Sequence, residues 1–218
     1  MNENINEFTT IKIDTESWKK DLPSIQTVSI PKFELVSLDH LALSSILPDF
    51  DFNNPPVDPN KFASSLVETC KSMSGLGLSA NQCGFTHRVF VMGLDDNYVA
   101  FFNPKIISVS DNISQMEEGC LSFMDLFLKV TRPDTIDVEY QDYTGQKKTA
   151  TYTGLTARCF QHELDHMNGV VYTQRVKPLA LQMAKKRRSK LAIRRKNIRN
   201  AMVNKVKDQF NANKFRHR

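Results

Sequence analysis

The 218-residue chain has no run of about eighteen apolar residues, which excludes a membrane-spanning helix of ordinary length. Cysteine is scarce. Cys70, Cys83, Cys120 and Cys159 are too few and too far apart for a disulfide scaffold in a chain of this size, so they are read as reduced thiols. Between Met1 and Thr9 stand two Glu and no basic residue, a start unlike a secretory signal or an Arg-rich transit peptide, and a cytoplasmic location is expected. There is no internal repeat, and no low-complexity block outside a basic tail. Histidine is sparse too, with five in the chain, so two of them four residues apart carry weight.

What is present fits one domain with a tail. A hydrophobic content of 40% is enough to build a core at this length. The net charge of +5 hides a division: Arg175 to Arg218 holds 16 Lys and Arg and one acid, Asp208, whereas residues 1–174 hold 13 Lys and Arg against 23 acids. The tail therefore carries +15 and the body −10, an asymmetry expected of a tail that meets a polyanion.

Local patterns predict an α+β fold, with mostly antiparallel strands packed around a central metal-binding helix and a basic C-terminal helix. Asp58 and Pro59 form a helix start, and Phe62, Leu66, Val67, Cys70 and Met73 repeat at three and four to give it one apolar face. Gly75 and Gly77 break that helix. Arg88–Met92, Phe101–Val109, Thr135–Gln141 and Lys148–Thr153 read as strands, bounded by turn signals at Asp95-Asp96-Asn97 and Thr144-Gly145. Ile136, Val138 and Tyr140 alternate with Asp137, Glu139 and Gln141, which predicts a sheet with one wet face. Val28–Pro31 and Phe33–Val36 are candidate extended pieces. The expected organisation is an N-terminal extension over 1–58, a catalytic core over 59–176 and a basic helical tail over 177–218.

The segment Leu155 to Val170 reads as a helix stopped by Gly169, with Leu155, Cys159, Phe160 and Leu164 available for the core. It contains His162-Glu163-Leu164-Asp165-His166. Residues four apart share a helical face, so His162 and His166 can bind one divalent ion while Glu163 polarises its water. A catalytic metal usually takes a third protein ligand and leaves one position open. Cys120, in a loop-like stretch between predicted strands, is the ligand chosen, since a thiolate with two imidazoles partly neutralises the ion; its bland alternative is a buried thiol.

Three segments then carry a family resemblance. GLGLSANQ (Gly75 to Gln82), EGCLS (Glu118 to Ser122) and QHELDH (Gln161 to His166) resemble, in order and spacing, the signature motifs of the peptide deformylases, over about Asn60 to Tyr172. The resemblance implies removal of the N-formyl group from the initiator methionine of newly made polypeptides, releasing formate. It implies one divalent ion on Cys120, His162 and His166, with Fe2+ favoured over Zn2+, Ni2+ or Co2+. Glu163 then serves as proton shuttle, and the Gln82 side chain and Leu121 N–H as oxyanion donors. Gly75, Leu76 and Gly77 are expected beside the substrate backbone, Leu76, Leu155 and Cys159 around the methionine side chain, and Glu118 paired with Arg132 in support. Ser79 and Asn81 stand where the family usually has alanine and proline, small changes expected to be tolerated, with loosening of the segment before Gln82 as their possible cost. Phe123–Phe127 is more apolar than the usual loop.

In the tail, Leu191, Ile198, Met202, Val206 and Phe210 form one apolar stripe on an otherwise basic helix. The resemblance implies attachment to the ribosome through such a helix, with ribosomal RNA as the expected contact. Two rival classes remain at this level: an HExxH-type metallopeptidase, which expects a third His or Glu downstream, and a nucleic-acid-binding module with a closed structural metal site. Asp165 is read equally as a supporting partner of the site or a solvated helix residue.

Overall fold

A computed structural model describes residues 31–94 and 97–216. The first helix, α1 (Pro59–Ser72), starts where Asp58 accepts hydrogen bonds from the N–H groups of Asn60 and Lys61, both at 3.0 Å, with Pro59 opening the first turn. Phe62, Leu66 and Cys70, spaced by four, are buried along one face. A short strand, β1 (Gly77–Ser79), follows the glycine break and leads into a 3-10 turn over Ala80–Cys83.

Strands β2 (Val89–Leu94), β3 (Asn97–Val109), β6 (Thr135–Gln141) and β7 (Lys147–Thr153) join β1 in one antiparallel sheet, ordered β1-β2-β3-β6-β7. The hairpin of β4 (Ile113–Glu118) and β5 (Leu128–Pro133) stands apart as a second sheet. Neither of its strands was expected from the sequence, because β4 reads ISQMEE and is mostly exposed. The β3–β6 pairing is interrupted by bulges near Asn103, which takes a left-handed φ of 51°; its side chain bonds both polar groups of the Phe50 backbone and Gln141.

Period-two burial sorts the core. Val89 and Val91 of β2 point toward α1, with Leu66, Cys70, Leu78 and Phe102. Phe90 and Met92 point the other way, into a cluster with Phe101, Ile136, Val138, Ala157, Phe160 and Leu164. The expectation of one wet face thus fails at β2, which is covered on both sides. The second cluster is closed by helix α2 (Gly154–Met167), whose residues 160–167 are all buried. Leu155 does not join the core; it is 59% exposed.

Residues 41–50 clasp the end of α2. Ala42, Leu43, Leu47 and Phe50 are buried, and the Leu47 N–H donates to the Met167 carbonyl. Gly169 ends the helix region with φ 69°, and a Cβ there would lie 2.7 Å from the Ser44 carbonyl oxygen, so glycine answers both the turn and the close approach. Phe33–Val36 forms no strand, although Phe33 and Leu35 pack on the core. Val28–Ile30 and the Asp95–Asp96 turn lie outside the described residues.

The long helix α3 (Pro178–Arg216) is tied down at its start, where Ala184 and Leu181 pack with Leu126, Leu128, Val130 and Tyr172. Further along, Leu191, Ile198 and Met202 of the expected stripe are 42%, 46% and 65% exposed, so they do not dock on the body. The side chains of Val206 and Phe210 lie outside the described ones. No helix of the described residues is long and apolar enough to cross a membrane.

Candidate active site and metal centre

Two elements bring the polar groups together: α2, buried against the sheet, and the strand β4 that ends just before Cys120. His162 and His166 sit one turn apart on α2 with ring centroids 5.2 Å apart. Cys120 directly precedes a 3-10 turn (Leu121–Phe123), and its Sγ lies 3.4 Å from Nε2 of His166. One ligand atom from each of the three residues falls within 4.8 Å of the others, a cluster that could hold a single divalent ion. Among the described residues they are the one group of at least three such side chains that could hold an ion.

The donor set fits a metal in a second way. Nδ1 of His162 faces Oε2 of Glu118 at 3.2 Å, which orients the ring and leaves Nε2 to a cation. Burial disfavours a charge on His162, yet its contacts with Cys120 and Glu118 and the nearby Glu163 outweigh this and carry its pKa to about 10. A cation and a proton therefore compete for this ring. Burial, aided by the charges of His162 and Arg132, pushes the pKa of His166 down and keeps it neutral, as a ligand must be.

Glu118 is the node of a buried charge network. Its two oxygens accept Arg132 Nε and Nη2 at 2.7 and 2.9 Å, and Oε1 also accepts Arg158 Nη1 at 2.7 Å. Arg132 reaches Asp165 at 2.8 Å through Nη1, and Arg175 grips both oxygens of Asp165 from outside. Arg132 sits in the same inward phase of β5 as Leu128 and Val130, so a strand that buries alternate residues delivers a guanidinium to the interior. Burial works against the Glu118 charge, but the two arginines and His162 hold its pKa far below the usual carboxylate range. Asp165 is 6% exposed and paired, which decides between its two readings in favour of support.

Glu163 and Gln82 flank these three side chains. Oε2 of Glu163 and Nδ1 of His166 are buried with no hydrogen-bond partner, and burial pushes the Glu163 pKa up to about 7 against the opposing charge of His162. The Gln82 amide has one orientation: Oε1 accepts from the N–H and hydroxyl of Ser79 at 3.0 and 3.1 Å, so Nε2 points to Ser122 Oγ at 3.0 Å and Cys120 Sγ at 3.4 Å. The segment before Gln82 is not loosened by its substitutions. Asn81 donates its amide to the carbonyls of Ala42 and His166, at 2.9 and 2.7 Å, and so stitches this segment to α2.

A pocket of about 390 Å³ opens onto these groups, lined by Gly75, Leu76, Gly77, Leu155 and Cys159, with Leu121, Gln82, Cys120, His162 and Glu163 around it. Gly77 has no room for a side chain, since a Cβ would lie 2.5 Å from Oε1 of Glu163 and 2.8 Å from Sγ of Cys159. Burial, with the Glu163 charge adding, pushes the Cys159 thiol well above the usual range, so it lines the pocket as an apolar group. The residues named from the sequence for ligation, acid–base chemistry, substrate contact or support line this pocket or stand in the network behind it, except His166, which lies beside Cys120 without lining the pocket. Sequence reading missed Arg158, Arg175, Ser79 and Ser122. The spacing of Arg158, His162 and His166 by four, one face of one helix, was the available sign for the first.

An α+β fold with a buried His-Glu-His helix, a cysteine beside it, a carboxyl group titrating near neutrality and an apolar pocket is the arrangement of a metal-dependent hydrolase. The sequence profile of polypeptide deformylases matches residues 33–182, beginning well before Asn60, and the chain belongs to that family. The chain is 39% identical over 137 residues to the peptide deformylase of Agrobacterium fabrum, covering 61% of this chain and 81% of that protein. The peptide deformylase of Synechococcus elongatus in complex with actinonin superposes with a TM-score of 0.67 at 31% identity, covering 73% of this chain and 87% of that one. The Acinetobacter baumannii enzyme bound to Met-Ala-Ser gives a TM-score of 0.64 at 25% identity, over 68% of this chain and 100% of that one. The family reaction is metal-dependent removal of the N-formyl group, and neither the metallopeptidase nor the structural-metal reading is favoured.

Proposed function

We propose that Cys120, His162 and His166 hold the divalent ion and that Glu163, Gln82 and Leu121 deformylate the N-terminal formylmethionine of newly made polypeptides. The observation that carries this is the convergence of three ligand atoms within 4.8 Å, with a carboxyl group and an oriented amide beside them at one pocket. When bound, the ion supplies Lewis-acid polarisation of water and of the formyl carbonyl. Glu163 takes the proton of the attacking water and delivers it to the departing amine nitrogen, a task suited to a carboxyl group titrating near neutrality. The Gln82 amide and the Leu121 N–H stabilise the negative oxygen that develops on the formyl carbon.

β1 is an edge strand, so it and the Gly75-Leu76 segment that leads into it can pair with an extended substrate backbone while Leu76, Leu155 and Cys159 surround the methionine side chain. Glu118 and Arg132 hold His162 in position. A sulfur and two imidazole ligands suit Fe2+, Zn2+, Ni2+ or Co2+, and the family resemblance favours Fe2+ among them. Catalytic groups lie between residues 59 and 176; residues 31–58 contribute packing, and the tail from 177 contributes positive charge for ribosomal RNA near the emerging substrate. A cytoplasmic location follows from that substrate. Formate release from a formyl-Met peptide tests the assignment: Glu163→Ala should keep its metal and lose activity by about 10²-fold or more, and near-parental turnover would refute it.

A further inference from the structure

The outer half of the pocket is built by Phe123–Phe127, which the deformylation chemistry does not use. This turn is held from below. Leu126 is 1% exposed, its N–H donates to the Phe123 carbonyl, its own carbonyl accepts the Tyr172 hydroxyl at 2.7 Å, and the Phe123 ring meets Tyr172 edge-on at 5.8 Å. It is also held from the side. Asp125, at the tip with φ 60°, accepts Arg195 of α3, and the Phe127 carbonyl accepts Arg187. The Phe127 ring lies against Gly119, where a Cβ would meet it at 2.7 Å, next to Cys120.

The result is a pinned turn that presents apolar side chains to water. Met124 is 68% exposed and Phe127 48%, and both line the mouth of the pocket together with Leu76 and Leu155. Clustered apolar exposure beside a reactive centre marks a surface that a ligand covers. The edge strand β1, entered through Gly75 and Leu76, gives the direction, because an extended chain paired there projects successive side chains to alternate sides and one of the two residues after the methionine must face the mouth.

We propose that Met124 and Phe127 are specificity-determining residues that select substrates carrying a large apolar side chain at the second or third position. This rests on the pocket being the formyl-peptide site. The occupant is the substrate's own chain, since the mouth is continuous with the proposed methionine pocket.

The test uses the full, metal-loaded chain and formate release from two peptide series, formyl-Met-X-Ser and formyl-Met-Ala-X, with X as Leu, Phe, Ala or Ser. In one series kcat/KM for Leu and Phe should exceed that for Ala by about fivefold, chiefly through KM. Met124→Ala, at a side chain with little packing to lose, and Phe127→Ala, with metal content measured as a check on the Cys120 loop, should each shrink that ratio toward one. Equal kcat/KM for all X in the parent, or an unchanged ratio in both variants, overturns the inference while leaving deformylation intact. No formate from formyl-Met-Ala-Ser by the parent overturns both.

Discussion

Replacing Glu118 with alanine should strike stability and metal binding together. Its carboxylate is 5% exposed and receives two bonds from Arg132, one from Arg158 and the Nδ1 contact of His162. Removing it leaves two guanidinium groups, each 3% exposed, short of a counter-charge. Breaking a buried pair from one side costs about 3–5 kcal/mol. Here the lower end applies, because Arg132 keeps Asp165 and Arg158 keeps the carbonyls of Val130 and Ser114. For a chain of this size about 3 kcal/mol lowers Tm by about 6–12 °C. The freed His162 ring should also cost about 10–100-fold in metal affinity. Urea unfolding at fixed metal concentration, with metal titration of the folded protein, measures both. Glu118→Gln keeps an acceptor but loses the charge and should fall between parent and alanine. A Glu118→Ala protein within about 1 kcal/mol of the parent, with unchanged metal affinity, would refute the assignment of this carboxylate as the node.

Gln82→Leu should lower kcat by about 10²–10³-fold with metal content unchanged, and a loss under about tenfold would remove Gln82 from the oxyanion site. Burial pushes the Cys83 thiol up to about 12, so at pH 8 its thiolate is about a thousandfold scarcer than that of an ordinary thiol; native labelling by iodoacetamide, followed by mass spectrometry, should be slow and rise about tenfold per pH unit. Labelling at the rate of the unfolded chain would contradict this. Truncation after Lys196 spares Leu181, Ala184, Arg187 and Arg195, which pack on or pair with the body, and should weaken ribosome co-sedimentation and flatten its salt dependence. Co-sedimentation unchanged by that truncation would separate the tail from the polyanion.

The α1 start, strand β6 and the α2 boundaries were legible because each announces itself locally: Asp58-Pro59 is a cap followed by a fixed φ, Ile136 and Val138 alternate with polar residues, and Gly169 supplies a left-handed stop. The hairpin β4–β5 was not. In β4 the exposed phase includes Ile113 and the inward phase ends at Glu118, and in β5 the alternation begun by Leu128 and Val130 is broken by the inward Arg132, so polarity does not track burial although alternation in burial is clean in β5. Arg158 was hidden for the same reason, since a charge on a helix reads as solvated until the opposite charge is seen beside it.

The chain by itself pointed to the chemistry, because His162 and His166 need only one turn of helix to share a face with Glu163 next to the first, and because the motifs around Gln82 and Cys120 come in family order. Which charges are buried, and therefore which matter, was decided by packing. Glu118 and Arg132 lie fourteen residues apart, and Asp165 meets Arg132 from another element. Whether Asn81 loosens its segment also depended on carbonyls from residues 42 and 166. Pairings between distant segments have no local signature; they exist only once the sheet and α2 place the partners within hydrogen-bond reach, where the cost of burying each charge is offset by the other.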